Sequence, residues 1–117
     1  MSAPAILWHY TCAHHRPAIE LDGEVRPITG HAWFTDLDDA RPWREALGLT
    51  SHLLACDRTR YRFRVVSSAH VVPYVRMRRT LPAAYRQALE TAEGALPMHW
   101  YVATEPVPVV YAPGRRP

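Results

Sequence analysis

Eleven of the 117 residues are proline, spread from Pro4 to Pro117. Each removes a backbone donor and biases the residue before it towards extended geometry, so no helix or strand can run far between them. The chain must therefore fold from short elements. With 48% apolar and 21% charged residues, its composition is that of one globular domain over 1–117, with a frayed tail expected at 112–117. A chain of this size buries roughly two-thirds of its unfolded surface, so it needs neither disulfide nor metal to fold. Cys12 and Cys56 stand far apart with no CxxC spacing and read as buried thiols. No apolar run approaches the roughly 20 residues of a membrane helix, and the start lacks the basic segment of a signal peptide. A cytoplasmic location with no membrane partner is the expectation.

Between the prolines, the residue pattern predicts strands at Ala5 to Thr11, Glu24 to Ile28, Ala32 to Thr35, His52 to Cys56, Tyr61 to Val66, His99 to Thr104 and Val107 to Tyr111. The Glu24 strand is of edge type because Pro27 ends it. Helices are expected over Cys12 to Leu21, with Thr11 as a cap, Pro17 in the first turn and Gly23 as the stop. Others are expected over Arg41 to Leu47, and over Ala83 to about Ala92 with Tyr85, Leu89 and Ala92 on one stripe. Asp57 to Arg60 would turn a hairpin, and Ser67 to Arg79 is ambiguous. The mixture of hairpins and helical crossings predicts an α+β fold.

All 14 basic residues are arginine, and the net charge is +3. A GC-rich genome explains an all-arginine set, as does a need for planar, bidentate contacts to phosphate or carboxylate. The most cationic stretch puts Arg58, Arg60, Arg62 and Arg64 on one strand face, with Tyr61 and Phe63 on the other. This face is either a solvated exterior or a phosphate-tracking edge for nucleic acid or a pyrophosphate, to which Arg76, Arg78 and Arg79 would add. Cys12, His14 and His15 crowd one helix start, but adjacent histidines diverge by about 100° on a helix, so no metal site is expected. Asp36, Asp38 and Asp39 form an acidic turn that reads as a solvated loop, with a cation site as the alternative. P-loop, glycine-rich dinucleotide turn and nucleophile elbow are all absent.

The most informative segment is Leu7-Trp8-His9-Tyr10-Thr11. On a strand, His9 and Thr11 share a face about 7 Å apart. Such a pair suits the hydroxyls of a ribose, or a ribose and an amide. The alternative is a buried strand end whose histidine bonds to backbone.

The strand ending His9-Tyr10-Thr11, the helix after it, the Gly23-Glu24-Val25-Arg26-Pro27 strand and the Ala32-Trp33-Phe34-Thr35 strand together resemble the ADP-ribosyltransferase-like superfamily. That superfamily includes the poly-ADP-ribose polymerase and diphtheria-toxin group, the RNA 2'-phosphotransferases, and small bacterial and phage proteins. The resemblance implies an α+β fold of split mixed or antiparallel β-sheets with two or three short helices. It also implies NAD as cofactor and transfer of ADP-ribose to a protein or nucleic-acid acceptor. His9 would hold the ribose 2'-hydroxyl, the Tyr10 backbone would meet the carboxamide, and the Thr11 hydroxyl would support it. Trp33 and Phe34 lie on the strand that carries the nicotinamide-stacking aromatic, with Trp43, Tyr61 and Tyr74 competing for the role. Glu105, after the last-but-one strand, would be the catalytic acid.

The chemistry is coherent in its own right. Breaking a nicotinamide glycosidic bond needs a ribose held still, a clamped ring and a carboxylate near the developing cation. Arg16 and Arg26 stand near the same strand ends for the pyrophosphate. Two other functions fit the composition. One is a non-catalytic module binding nucleic acid or protein through the 58–64 arginines. The other is an RNA 2'-phosphotransferase-type reaction.

Overall fold

The computed structural model describes residues 6–11, 15–27, 30–37, 61–91 and 95–112. In chain order these form β1 (Trp8–Thr11), α1 (Arg16–Asp22), β2 (Glu24–Val25), β3 (Ala32–Thr35), β4 (Tyr61–Val65) and β5 (Val71–Pro73). α2 (Tyr74–Met77), α3 (Ala83–Glu90), β6 (Trp100–Ala103) and β7 (Val107–Tyr111) follow. Short 3-10 turns occupy Arg78–Thr80 and Pro97–His99. Among the described residues the fold is α+β: a seven-stranded antiparallel open sheet with three short helices.

Proline sets several boundaries. α1 begins at Arg16 rather than Cys12 because Pro17 is tolerated only in a helix's first turn. The residue before α1 is His15, which makes no side-chain cap. Thr11, expected as the cap, instead lies in β1. The helix stops where Gly23 takes φ +69°, a left-handed conformation that costs glycine little, and its N–H closes onto the Ile19 carbonyl at 2.8 Å. β2 is cut to Glu24–Val25 ahead of Pro27 and does lie at the sheet edge. The ambiguous 67–79 segment resolves into β5, α2 and a 3-10 turn, with the change of geometry at Pro73, whose ψ of 138° ends the strand and starts the helix. The expected elements at Arg41 to Leu47, His52 to Cys56 and Asp57 to Arg60 lie outside the described residues.

The strand order is β2-β7-β4-β1-β3-β6-β5. β1 is central and pairs with β4 along its whole length, from Trp8 opposite Arg64 to Thr11 opposite Tyr61. Its pairing with β3 is different: among the described residues the two strands meet only at Trp8 and Thr35. Beyond that point they part, so the sheet is joined at one rung and opens towards the end of β1.

Alternation along the strands gives each face its own core. Val25, Ala32, Phe34, Phe63, Ala103, Val107 and Val109 form one cluster, against which Ile19 of α1 packs. Tyr74, Leu81, Trp100 and Val102 form the other, joined by Trp33, Met77 and Leu89. Fully burying such a side chain contributes roughly 1.5–3 kcal/mol. On α3, Leu89 meets this second core while Tyr85 is exposed, contrary to the expected stripe. The helix is fastened by its C-terminal end. There Glu90 accepts from the Tyr74 hydroxyl at 2.7 Å and from Arg78 Nε and a terminal nitrogen at 2.8 and 2.9 Å. Ala112, expected to begin the frayed tail, donates its N–H to the Arg62 carbonyl at 3.1 Å.

Candidate functional site

His9 lies where β1 leaves β3. Its ring is half-buried, 5.6 Å from the Phe34 ring, and its Nδ1 is 2.9 Å from the Trp33 carbonyl oxygen. A carbonyl only accepts, so Nδ1 carries the proton and Nε2 is the acceptor of the neutral ring. The histidine thus makes the backbone bond considered as an alternative to ribose binding, and that bond orients the ring. Tyr10 points to the opposite face, where its hydroxyl donates to the Leu37 carbonyl at 2.7 Å. Thr11 is 3% exposed, so its side chain lies within the fold rather than at a surface.

The aromatic candidates divide between the faces. Phe34 shares the His9 face and is buried in that core. Trp33 projects to the other face and packs on Tyr74 and Trp100, with ring centroids 5.9 and 6.3 Å away. Tyr74 is wholly buried, and burial with the neighbouring Glu90 carboxylate pushes its hydroxyl up to about 12. Tyr61 lies on the His9 face beside Tyr111, at 6.4 Å. Trp43 lies outside the described residues.

The arginines expected to meet a pyrophosphate already have partners. The Arg16 guanidinium sits 4.5 Å over Tyr61 and 4.2 Å over Tyr111 and bonds Glu20, which holds its pKa above the usual value. Arg26 is more exposed and pairs with Glu24 at 2.9 Å and Asp22 at 3.8 Å. Arg62 and Arg64 do occupy the face opposite Phe63, with Arg64 exposed; Arg58 and Arg60 lie outside the described residues.

Glu105 follows β6. Because β1 and β6 both run antiparallel to β3, they point the same way, and Ala103 registers with Ala32. Glu105 therefore lies at the end of the sheet where β1 finishes. Its side chain is 62% exposed and 3.2 Å from Nδ1 of His70.

Sequence reasoning missed a second carboxylate. Asp36, read as a solvated turn residue, is half-buried just after β3. Its Oδ1 lies 2.7 Å from Nδ1 of His99, and its Oδ2 accepts from the Tyr101 hydroxyl at 3.3 Å. Burial, then the Asp36 carboxylate, pushes the Tyr101 pKa up. Strand parity puts Asp36, His99 and Tyr101 on the same sheet face as Phe34 and His9. The register of Thr35 with Trp100 brings the first two together. That register is a long-range pairing with no local trace in the sequence.

Among the described residues no three His, Cys, Asp or Glu side chains gather as metal ligands, and no helix is long and apolar enough to cross a membrane. Comparison of the chain with protein-family models, with curated proteins and with solved structures finds no match.

Proposed function

We propose that this protein is an NAD-dependent enzyme of the ADP-ribosyltransferase-like type, cleaving the nicotinamide glycosidic bond and transferring ADP-ribose to a protein or nucleic-acid acceptor. The observation that carries the reading is the parting of β1 from β3 after the Trp8–Thr35 rung, with the His9 imidazole bonded across the gap to Trp33. A sheet that opens at one rung offers polar backbone and an oriented imidazole at a single place. A ribose hydroxyl needs a partner of fixed direction, and the bond from Nδ1 to the Trp33 carbonyl fixes the ring that would supply it.

Three further features support it. Phe34, on the neighbouring strand and the same face, provides an apolar wall beside His9. The parallel course of β1 and β6 brings Glu105 to the end of the sheet where β1 finishes, the end at which a carboxylate could face the developing positive charge. Among the described residues the Glu105 side chain is exposed and contacts only the exposed His70, which leaves it accessible to a substrate. In the reaction, the bond from ribose C1' to the nicotinamide nitrogen breaks with its electron pair leaving on nicotinamide. The acceptor's nucleophilic atom forms the new bond at C1'. His9 positions the sugar, and Glu105 stabilises charge at C1'.

The test is direct. The full chain is incubated with NAD, nicotinamide release is followed by chromatography, and NAD binding is followed by calorimetry. Release that depends on protein concentration is expected. A folded protein that neither binds NAD nor releases nicotinamide overturns the assignment.

A further inference from the structure

Asp36 and His99 are a carboxylate and an imidazole in direct contact, and neither has a part in holding the ribose or in stabilising charge at C1'. They meet because Thr35 registers with Trp100, so the residue after the one faces the residue before the other. Asp36 Oδ1 lies 2.7 Å from His99 Nδ1, and the Tyr101 hydroxyl donates to Oδ2 at 3.3 Å. Both carboxylate oxygens are engaged, which holds the acid in one orientation. A carboxylate only accepts, so Nδ1 carries the proton and the lone pair of the neutral ring lies on Nε2. The imidazole is 34% exposed, and Nε2 bonds no group among the described residues. An acid that orients one ring nitrogen and leaves the other available is the base half of a nucleophile-activating triad. No described serine, threonine or cysteine bonds Nε2, so the proton it takes belongs to a bound molecule.

The pair lies on the side of the sheet that carries His9. The His9 ring is 5.6 Å from the Phe34 ring, Phe34 registers with Tyr101, and the Tyr101 hydroxyl reaches Asp36. Strand parity puts all of these side chains on one face. His9 and His99 stand two strands apart and two residues out of step, about 12 Å between Cα atoms at ordinary strand spacing. A ribose held at His9 and an acceptor oxygen bonded to its C1' span such a distance. Along the chain, His99 precedes Tyr101 by two residues and Glu105 follows it by four. The base and the charge-stabilising carboxylate therefore approach the His9 row from opposite ends of the sheet.

We infer that His99, held by Asp36, is the general base that deprotonates the acceptor, and that the acceptor is accordingly a neutral hydroxyl; this rests on the protein using NAD. A carboxylate or phosphate acceptor arrives as an anion and needs no base, whereas a hydroxyl becomes a competent nucleophile as its proton leaves. In the step, the hydroxyl oxygen bonds C1' and its proton passes to Nε2. The bond from C1' to the nicotinamide nitrogen breaks with its electron pair leaving on nicotinamide. Asp36 stabilises the resulting imidazolium, which then gives its proton to water.

The experiment incubates the full chain with NAD in the presence of both methanol, a neutral hydroxyl, and azide, an anion with no proton to lose. Chromatography measures the ratio of O-methyl ADP-ribose to ADP-ribosyl azide. His99→Gln keeps a donor for Asp36 but cannot take a proton, so the ratio should fall about a hundredfold while azide transfer continues. Asp36→Asn, which removes the charge that holds the imidazole, should lower it about tenfold. Because the two products form from one protein sample, a variant that is merely less stable lowers both and leaves their ratio alone. Circular dichroism shows which variants are folded. A ratio unmoved in either folded variant overturns the inference and leaves the NAD-dependent activity standing. A parent protein that releases nicotinamide with neither nucleophile overturns that activity itself, and the base with it.

Discussion

The imidazole of His9 and the carbonyl oxygen of Trp33 meet at 2.9 Å across strands that are paired at Trp8 and Thr35 alone. A side chain thus takes over where the backbone ladder stops. The bond satisfies a carbonyl that the parting of the strands would strip of its ladder partner, and it fixes the tautomer of the ring.

Loss of that ring should be felt in binding. His9→Ala is expected to raise the dissociation constant for NAD about tenfold, the worth of one hydrogen bond to a sugar hydroxyl. Calorimetric titration checks this, with circular dichroism to show that the variant is folded. An unchanged affinity in a folded variant would remove His9 from the site.

Glu105→Gln separates chemistry from binding. The amide keeps the shape and loses the charge, so single-turnover nicotinamide release should slow by about a hundredfold while NAD affinity changes less than threefold. The exposed contact with His70 contributes little to stability, so the thermal midpoint should hold. A parallel fall in affinity and rate would mean that the carboxylate binds ground state and transition state alike.

Asp36 makes a different prediction. Its two carboxylate oxygens serve His99 and Tyr101, and an asparagine can offer only one oxygen. Asp36→Asn should cost about 1–3 kcal/mol, read as a lower urea midpoint with unchanged slope. A midpoint equal to that of the parent would show that the cluster is replaceable by water.

The fastening of α3 predicts the response to pH at both extremes. Hydrogen bonds from Arg78 and then Tyr74 lower the Glu90 pKa to about 2, from 4.5. Its contribution is present above 4.5 and is lost as pH falls towards 2, because the unfolded chain takes up the proton first. For Tyr74, raised to about 12 by burial and by Glu90, the sign is reversed. Stability is present below 10 and falls between 10 and 12, where the unfolded chain ionises and the folded one does not. Denaturation curves across pH should show both flanks. Glu90→Gln should flatten the acidic one, and Tyr74→Phe the alkaline one.

Where the rule is local, the sequence was decisive. Ala32–Thr35 and Val107–Tyr111 form strands over the expected residues, the Arg62 and Arg64 side chains oppose Phe63, and Gly23 ends α1 in the left-handed conformation. Alternation, proline and glycine act on neighbours along the chain, so these features are legible in it. Pairing partners depend instead on contacts between residues distant in sequence. Nothing around Asp36 announces His99, which is 63 residues away, and nothing around Trp8 announces that β1 would hold β4 along four residues and β3 at one. Those choices follow from which faces bury their apolar side chains together. They turned a turn aspartate, Asp36, into the centre of a hydrogen-bonded cluster, a strand-end threonine into an interior one, and a strand arginine, Arg62, into the cover of the Trp8 ring.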